Sequence, residues 1–403
     1  MILLDKFKNH DYAADYGKVL AMTLATKKSA FLLLPRSLSA TVTNRLWLDC
    51  AAIWHRSGGQ SLVAAPPGAL SADFARCGIP HTPLPVSSSL LEGWHKRRAL
   101  TDIVHRARPG LIWLEELTDW RWLRQTAPVN AVIRCFAHDP LPVDARRHTL
   151  LADFLSRGGK LVATSRAVYH QLAKDFGLAE DDISLLLPAI DPNLYDPLQV
   201  KPDRALRLAA EWRIPENAAL FLHCGALQQD GGQIAFFHAM AQSGRRDIYT
   251  VVLGEETTSG YRAKLMAALN HYGLSGQVLF TDQCADIPAA LWLAQAVVCA
   301  RRAPGGADPL LLAAQAMARP VLVSDAGAHL ELVEPGYSAW VFPASDTDAL
   351  HNAMLEILGL GEKARWAHGL RAREWVMEKF PYPPWRAAML EEPDESAAAV
   401  VAA

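Results

Sequence analysis

Residue types able to handle an anion or a sugar gather where short apolar runs end. Gly225 to Gly232 (Gly-Ala-Leu-Gln-Gln-Asp-Gly-Gly) follows the apolar run Ala219 to His223 and precedes the helical pattern Ile234 to Gln242. A glycine-bounded strand-to-helix loop can turn backbone N–H groups onto a phosphate. The same loop also reads as a tight packing turn, and the charge of Asp230 inside it would repel a diphosphate. Arg301 and Arg302 end the run Ala296 to Ala300 just before Pro304; they are either an anion-holding pair or a solvated rim. His138-Asp139 follows Ala131 to Phe136 and precedes Pro140, which puts an imidazole at a strand tip facing a cleft. Glu115-Glu116 ends Gly110 to Leu114, either as an acid/base pair or as a charged strand end. Glu331 comes shortly after Asp325-Ala326-Gly327, as a site carboxylate or as the cap of that turn.

The elements that position these residues repeat one rhythm. Ala30 to Pro35, Ser61 to Ala65, Gly110 to Leu114, Ala131 to Phe136 and Lys160 to Thr164 are short apolar runs separated by helical stretches such as Leu46 to His55. Such alternation predicts a parallel sheet with helices on both faces. The rhythm breaks over residues 191–205, where Asp-Pro and Lys-Pro turns mark a linker. It restarts with runs near residues 219–223, 249–253, 277–280, 296–300 and 320–324. The expected organisation is an N-terminal extension (1–28), a first α/β domain (29–195), a second (205–380), and a C-terminal segment with a frayed tail (381–403). The last helix is expected to pack back on the first domain.

Composition narrows the function classes. With 403 residues, 51% hydrophobic and 20% charged, the chain has ample core for two α/β domains. A formal net charge of −2 argues against a nucleic-acid partner held by phosphate neutralisation. No apolar run approaches the ~20 residues of a spanning helix, so any membrane contact is expected to be peripheral. Six scattered cysteines without a Cys-x-x-Cys pair predict reduced thiols, no metal site and a cytoplasmic setting. Of the 12 tryptophans, Trp47, Trp54, Trp94, Trp113, Trp120 and Trp122 fall in the first half. Most are expected in the core. Trp120-Arg121-Trp122 is expected at the surface, because alternating positions cannot all face one core.

From Leu220 onward an ordered set of motifs appears. Cys224-Gly225-Ala226-Leu227 leads to Gly231-Gly232-Gln233; Val278 to Thr281 precedes Asp286 to Ala290; Gln315-Ala316-Met317-Ala318-Arg319-Pro320 runs into Val321 to Asp325; Glu331, Pro335-Gly336 and Trp340 to Pro343 follow. This order, over about 160 residues, resembles the family-4 retaining glycosyltransferases. The resemblance implies a GT-B fold, meaning two facing Rossmann-like domains with parallel sheets. It further implies a nucleotide-sugar donor at the second domain, a glycan or lipid-linked acceptor at the first, and no cofactor. On this resemblance Gly225, Gly232, Arg301, Arg302 and Glu331 are the donor-side candidates and His138 the catalytic-side candidate.

The same alignment places small residues where the family carries charge. Ala226 stands at the loop's Arg position and Gly231 at its Lys position; Gly305 and Ala313 stand at the two Glu positions; Ala137 stands where the sugar-contacting His is expected, with His138 beside it. Each lost charge-assisted contact to a departing diphosphate costs about 2–4 kcal/mol. Three readings follow. The first is a glycosyltransferase-family protein with degraded donor chemistry, acting as the non-catalytic partner of an active glycosyltransferase in cell-envelope glycan assembly. The second is an active retaining transferase using Arg301, Arg302 and His138. The third is a sugar- or nucleotide-binding module without turnover.

Overall fold

The computed structural model describes residues 29–85 and 90–390. The expected N-terminal extension and frayed tail lie outside them. The first sheet holds β1 (Ala30–Leu34), β2 (Ser61–Ala65), β3 (His81–Pro83), β4 (Pro109–Leu114), β5 (Val132–Ala137), β6 (Lys160–Ala163) and β7 (Ile183–Leu185). Their order is β3-β2-β1-β4-β5-β6-β7, and every pairing is parallel. The second sheet holds β8 (Ala219–Cys224), β9 (Ile248–Leu253), β10 (Val278–Thr281), β11 (Ala296–Cys299), β12 (Val321–Ser324) and β13 (Trp340–Phe342). It repeats the pattern as β10-β9-β8-β11-β12-β13, again all parallel. Two facing Rossmann-like sheets of this kind are the GT-B-like architecture expected from the sequence.

Local chemistry explains the elements. Strands such as Ala-Phe-Leu-Leu-Leu in β1 are buried along their whole length, as central strands with helices on both faces must be. The helix Val42–Arg56 begins at Thr41, whose hydroxyl accepts the Asn44 N–H at 3.1 Å. It lays Trp47 and Trp54 on the sheet, where they meet Phe31, Trp113 and Phe136 edge-on or tilted at ring separations of 5.2–5.7 Å. The expected core role of these tryptophans holds. The surface expectation for Trp120-Arg121-Trp122 fails for Trp120, because the segment is a short helix (Trp120–Leu123) that turns this residue inward. Trp120 is buried and donates its indole N–H to Asp153 at 2.7 Å; Trp122 is half-buried and Arg121 exposed.

The expected linker is shorter than read. Pro202 opens the helix Pro202–Glu211 at its first turn, where a missing N–H costs nothing. At the other end the chain returns to the first domain. Ile190 bridges Pro381, the helix Tyr382–Leu390 packs on Val42–Arg56, and Arg134 donates to the carbonyls of Ala388 and Met389 at 3.3 and 2.9 Å.

Each sheet reverses its strand order once, between β1 and β4 and between β8 and β11. Beyond the carboxyl ends of such strands lies the crevice where ligands of open α/β sheets bind. Among the described residues no helix is long and apolar enough to cross a membrane, and no three His, Cys, Asp or Glu side chains are grouped to hold a metal ion.

Candidate functional site

At the second reversal, the Gly225–Gly232 loop lies directly on the end of β11. Gly232 has a φ of 78°, and a Cβ there would fall 1.7 Å from the Ala300 carbonyl oxygen. Only glycine allows this approach. The Arg302 N–H donates to the Asp230 carbonyl at 2.8 Å. Inside the loop the Gln233 amide donates to the Ala226 carbonyl at 2.9 Å, and a Cβ on Gly231 would meet Gln233 Oε1 at 2.4 Å. The loop interior is therefore filled by a side chain of the protein. Gln233 Oε1 is buried without a partner.

Arg301 turns back over the segment that follows it. A Cβ on Gly305 would lie 2.1 Å from the Arg301 Cζ, so the guanidinium occupies the space of a side chain at position 305. Its Nη1 reaches Asp139 Oδ1 of the first domain at 3.3 Å. The same Asp139 oxygen accepts the Gly306 N–H at 3.0 Å. Gly306 is pressed against the His138 carbonyl, where a Cβ would come within 1.7 Å. Two adjacent glycines thus bring the second domain onto the tip of β5. Ala313 is wholly buried in the helix Leu310–Ala316 and presents no polar side-chain atom to the cleft.

His138 lies at this junction. Its Nδ1 is 3.2 Å from the Thr164 hydroxyl, its ring lies nearly parallel to Phe136, and its Nε2 is buried without a partner. Glu331 reaches across the cleft. Its Oε2 accepts the Arg166 N–H at 2.6 Å and its Oε1 the Ala167 N–H at 2.9 Å, at the start of the helix Arg166–Phe176. Arg302 is separated from this group and borders a concavity of about 340 Å³ with Asp325, Ala326 and Pro343 to Ser345. The structure therefore brings Arg301, His138 and the Gly232 loop to one side of the cleft, sets Glu331 across the domain boundary, and leaves Arg302 facing elsewhere. Glu115 accepts the Arg36 N–H at 2.6 Å and Glu116 pairs with its side chain at 3.4 Å, which matches the reading of a charged strand end.

Beneath the cleft lies a polar layer that sequence reasoning missed. Cys299 Sγ and His329 Nε2 are 3.2 Å apart and both side chains are buried. Nearby, burial and then the proximity of Cys299 push the Asp308 carboxyl up to about 6, against the Leu310 N–H that it accepts at 2.9 Å. Burial drives His223, at the end of β8, down to about 4, so it stays neutral. Asp139, Gly305 and Gly306 were also missed as contact residues. The Gly305-Gly306 doublet ahead of Asp308-Pro309 was a visible signal of close approach, but its partner in the other domain was not.

Residues 218–359 match the family model described as Glycosyl transferases group 1. Among solved structures, a glycosyltransferase from Rickettsia africae aligns with a TM-score of 0.73 at 16% identity, covering 91% of this chain and 97% of that one. Anabaena HepE in complex with UDP and glucose aligns with a TM-score of 0.73 at 19% identity, covering 89% and 97%. WaaG, a glycosyltransferase involved in lipopolysaccharide biosynthesis, aligns with a TM-score of 0.69 at 15% identity, covering 90% and 100%. No curated protein matches the chain. Residues 218–359 are thus similar to the group 1 glycosyltransferases, and the fold, over both sheets, is GT-B-like.

Proposed function

We propose that this protein is a group 1 glycosyltransferase relative whose donor chemistry is degraded, and that it acts as the non-catalytic partner of an active glycosyltransferase in cell-envelope glycan assembly. The observation that carries this reading is the engagement of Arg301. Its guanidinium fills the side-chain space of Gly305 and faces Asp139 across the cleft. A cation already matched to a carboxylate offers little to a leaving diphosphate, whose developing charge is the main thing such a site must stabilise. The loop interior filled by Gln233 and the apolar burial of Ala313 point the same way. Lipopolysaccharide biosynthesis in the description of WaaG supports the envelope setting.

Calorimetric titration with UDP and with GDP tests the reading. The expected result is no binding below millimolar concentration. Deletion of the gene is expected to lower the activity of an intact glycosyltransferase that co-purifies with this chain. Micromolar nucleotide binding with release of nucleoside diphosphate in the presence of an acceptor would overturn it.

A second reading, an active transferase on a nucleotide sugar, is favoured by one observation. The His138 Nε2 is buried, unpartnered and close to Arg301 through Asp139 and Gly306, which is the state of a group that awaits a ligand. Complexes of HepE with UDP and with UDP-glucose make those nucleotides the first to try.

A further inference from the structure

A concavity of about 590 Å³ opens on the first domain, outside the cleft, between the helices Leu90–Ala107, Trp120–Leu123 and Ala145–Ser156. Arg97, Arg121, Arg124 and Arg146 surround it, and Trp122 and Leu150 form part of its wall. Among the described residues no carboxylate lines it. The carboxylates nearby are already used: Asp119 holds Lys96 at 2.5 Å, Asp153 holds Trp120 at 2.7 Å and Arg157 at 3.4 Å, and Asp144 holds Arg147 at 2.5 Å. Among the described residues no acidic side chain lies within ion-pair reach of Arg121, Arg124 or Arg146. Arg97 is oriented by Gln125, whose side-chain oxygen accepts its Nη2 at 2.5 Å. The chain as a whole carries −2, so this is a local concentration of one sign and not a reflection of a basic protein.

Four guanidiniums around one hollow repel one another unless an anion sits among them. Guanidinium forks match the oxygens of a phosphate, and several can share one group. The Trp122 indole, held half-buried against Gly93, gives the hollow an apolar wall beside its charges. We infer that this concavity binds a phosphate ester with a small organic half, its phosphate among Arg121, Arg124 and Arg146 and its organic half against Trp122. A free sugar phosphate and the headgroup of an anionic lipid share this chemistry. The site is separate from the cleft, so the inference stands whether or not the cleft turns over a nucleotide sugar.

The test uses the full chain at low ionic strength. Calorimetry with glucose 1-phosphate, with glucose as the uncharged control, reads the soluble source. Flotation with phosphatidylglycerol vesicles, with phosphatidylcholine as control, reads the lipid source. The variants are Arg121→Ser/Arg146→Ser and, as a control that removes a surface arginine from the second domain, Arg207→Ser; all three side chains are exposed, so folding is expected to be kept and is checked by thermal unfolding. The expected result is binding of glucose 1-phosphate or of the anionic vesicles, weakened at least tenfold in the double variant and unchanged in Arg207→Ser. Which arm responds identifies the source. Absence of binding in both arms would overturn the inference, as would binding that the double variant leaves intact or that Arg207→Ser weakens equally.

Discussion

The Glu331 carboxylate caps a helix of the opposite domain: it receives the N–H groups of Arg166 and Ala167 at 2.6 and 2.9 Å. With Ser165, whose hydroxyl accepts the Val168 N–H at 3.2 Å, three of the four N–H groups left open at the start of that helix are satisfied. The contact has a counterpart in the reverse direction, since Asp139 of the first domain accepts the Gly306 N–H of the second. Each domain lends a carboxylate to the other's backbone, and together they hold the cleft shut.

Glu331→Ala is expected to loosen this closure. A capping carboxylate at a helix start contributes about 0.5–2 kcal/mol, and partial exposure places this one toward the lower end. The expected outcome is a fall in unfolding free energy of about 1 kcal/mol and a larger radius of gyration by small-angle scattering. An unchanged scattering profile would show that Asp139 and the returning C-terminal helix hold the domains without it.

Gly305→Ala tests the placement of Arg301. A methyl at 305 would overlap the guanidinium, so Arg301 must move and its contact with Asp139 is lost. The guanidinium is the free end of a flexible side chain, so the cost is that of the contacts it gives up, about 0.5–1 kcal/mol. In Arg301→Ala the space is empty, and adding Gly305→Ala to that background is expected to cost much less. Denaturant unfolding of the four proteins in this cycle should give a coupling of about 0.5 kcal/mol or more; simple additivity would mean the two positions do not share space.

The sheets were legible because apolar runs separated by helical stretches have few alternatives. The edge strands β3, β7 and β13 were not read, as each is three residues long and carries no periodicity. At the site, sequence identified Gly232, Arg301, His138 and Glu331 as residues at strand or helix ends. It did not reveal that Arg301 folds back over Gly305, or that Glu331 serves a helix about 165 residues earlier in the chain. Both depend on how the two domains meet, and no local spacing encodes that. Trp120 misled for a different reason: three residues carry no period that tells which one a single helical turn points inward, and here the turn buries Trp120, half-buries Trp122 and leaves Arg121 exposed.

Gly232→Ala is expected to be among the most damaging single changes. The residue combines a positive φ with a backbone carbonyl that cannot yield easily, Ala300 O at 1.7 Å from the would-be Cβ. Gly244 has a φ of 63° and nothing within 4 Å, so Gly244→Ala isolates the conformational cost, about 1 kcal/mol. Urea unfolding should show Gly232→Ala losing at least about 2 kcal/mol more than Gly244→Ala. Equal losses would mean the loop does not rest on β11.

Asp49 supplies a pH dependence. It lies on the helix Val42–Arg56 where the interdomain link and the last helix meet, and one of its oxygens is buried without a partner. Burial and then Asp191 raise its carboxyl to about 6, with Arg386 and Arg56 acting in the opposite direction. A folded-state value above the unfolded 3.8 means that the folded state holds the proton more tightly. The resulting stability is complete below pH ~4 and is lost as pH rises through about 6, a change on the order of 3 kcal/mol. Asp49→Asn keeps the shape and removes the charge. Melting temperatures of the two proteins from pH 4 to pH 8 should therefore diverge, the variant gaining on the wild type as pH rises and reaching its full advantage above about 6.5. A constant difference across that range would show that Asp49 ionises without cost where it sits.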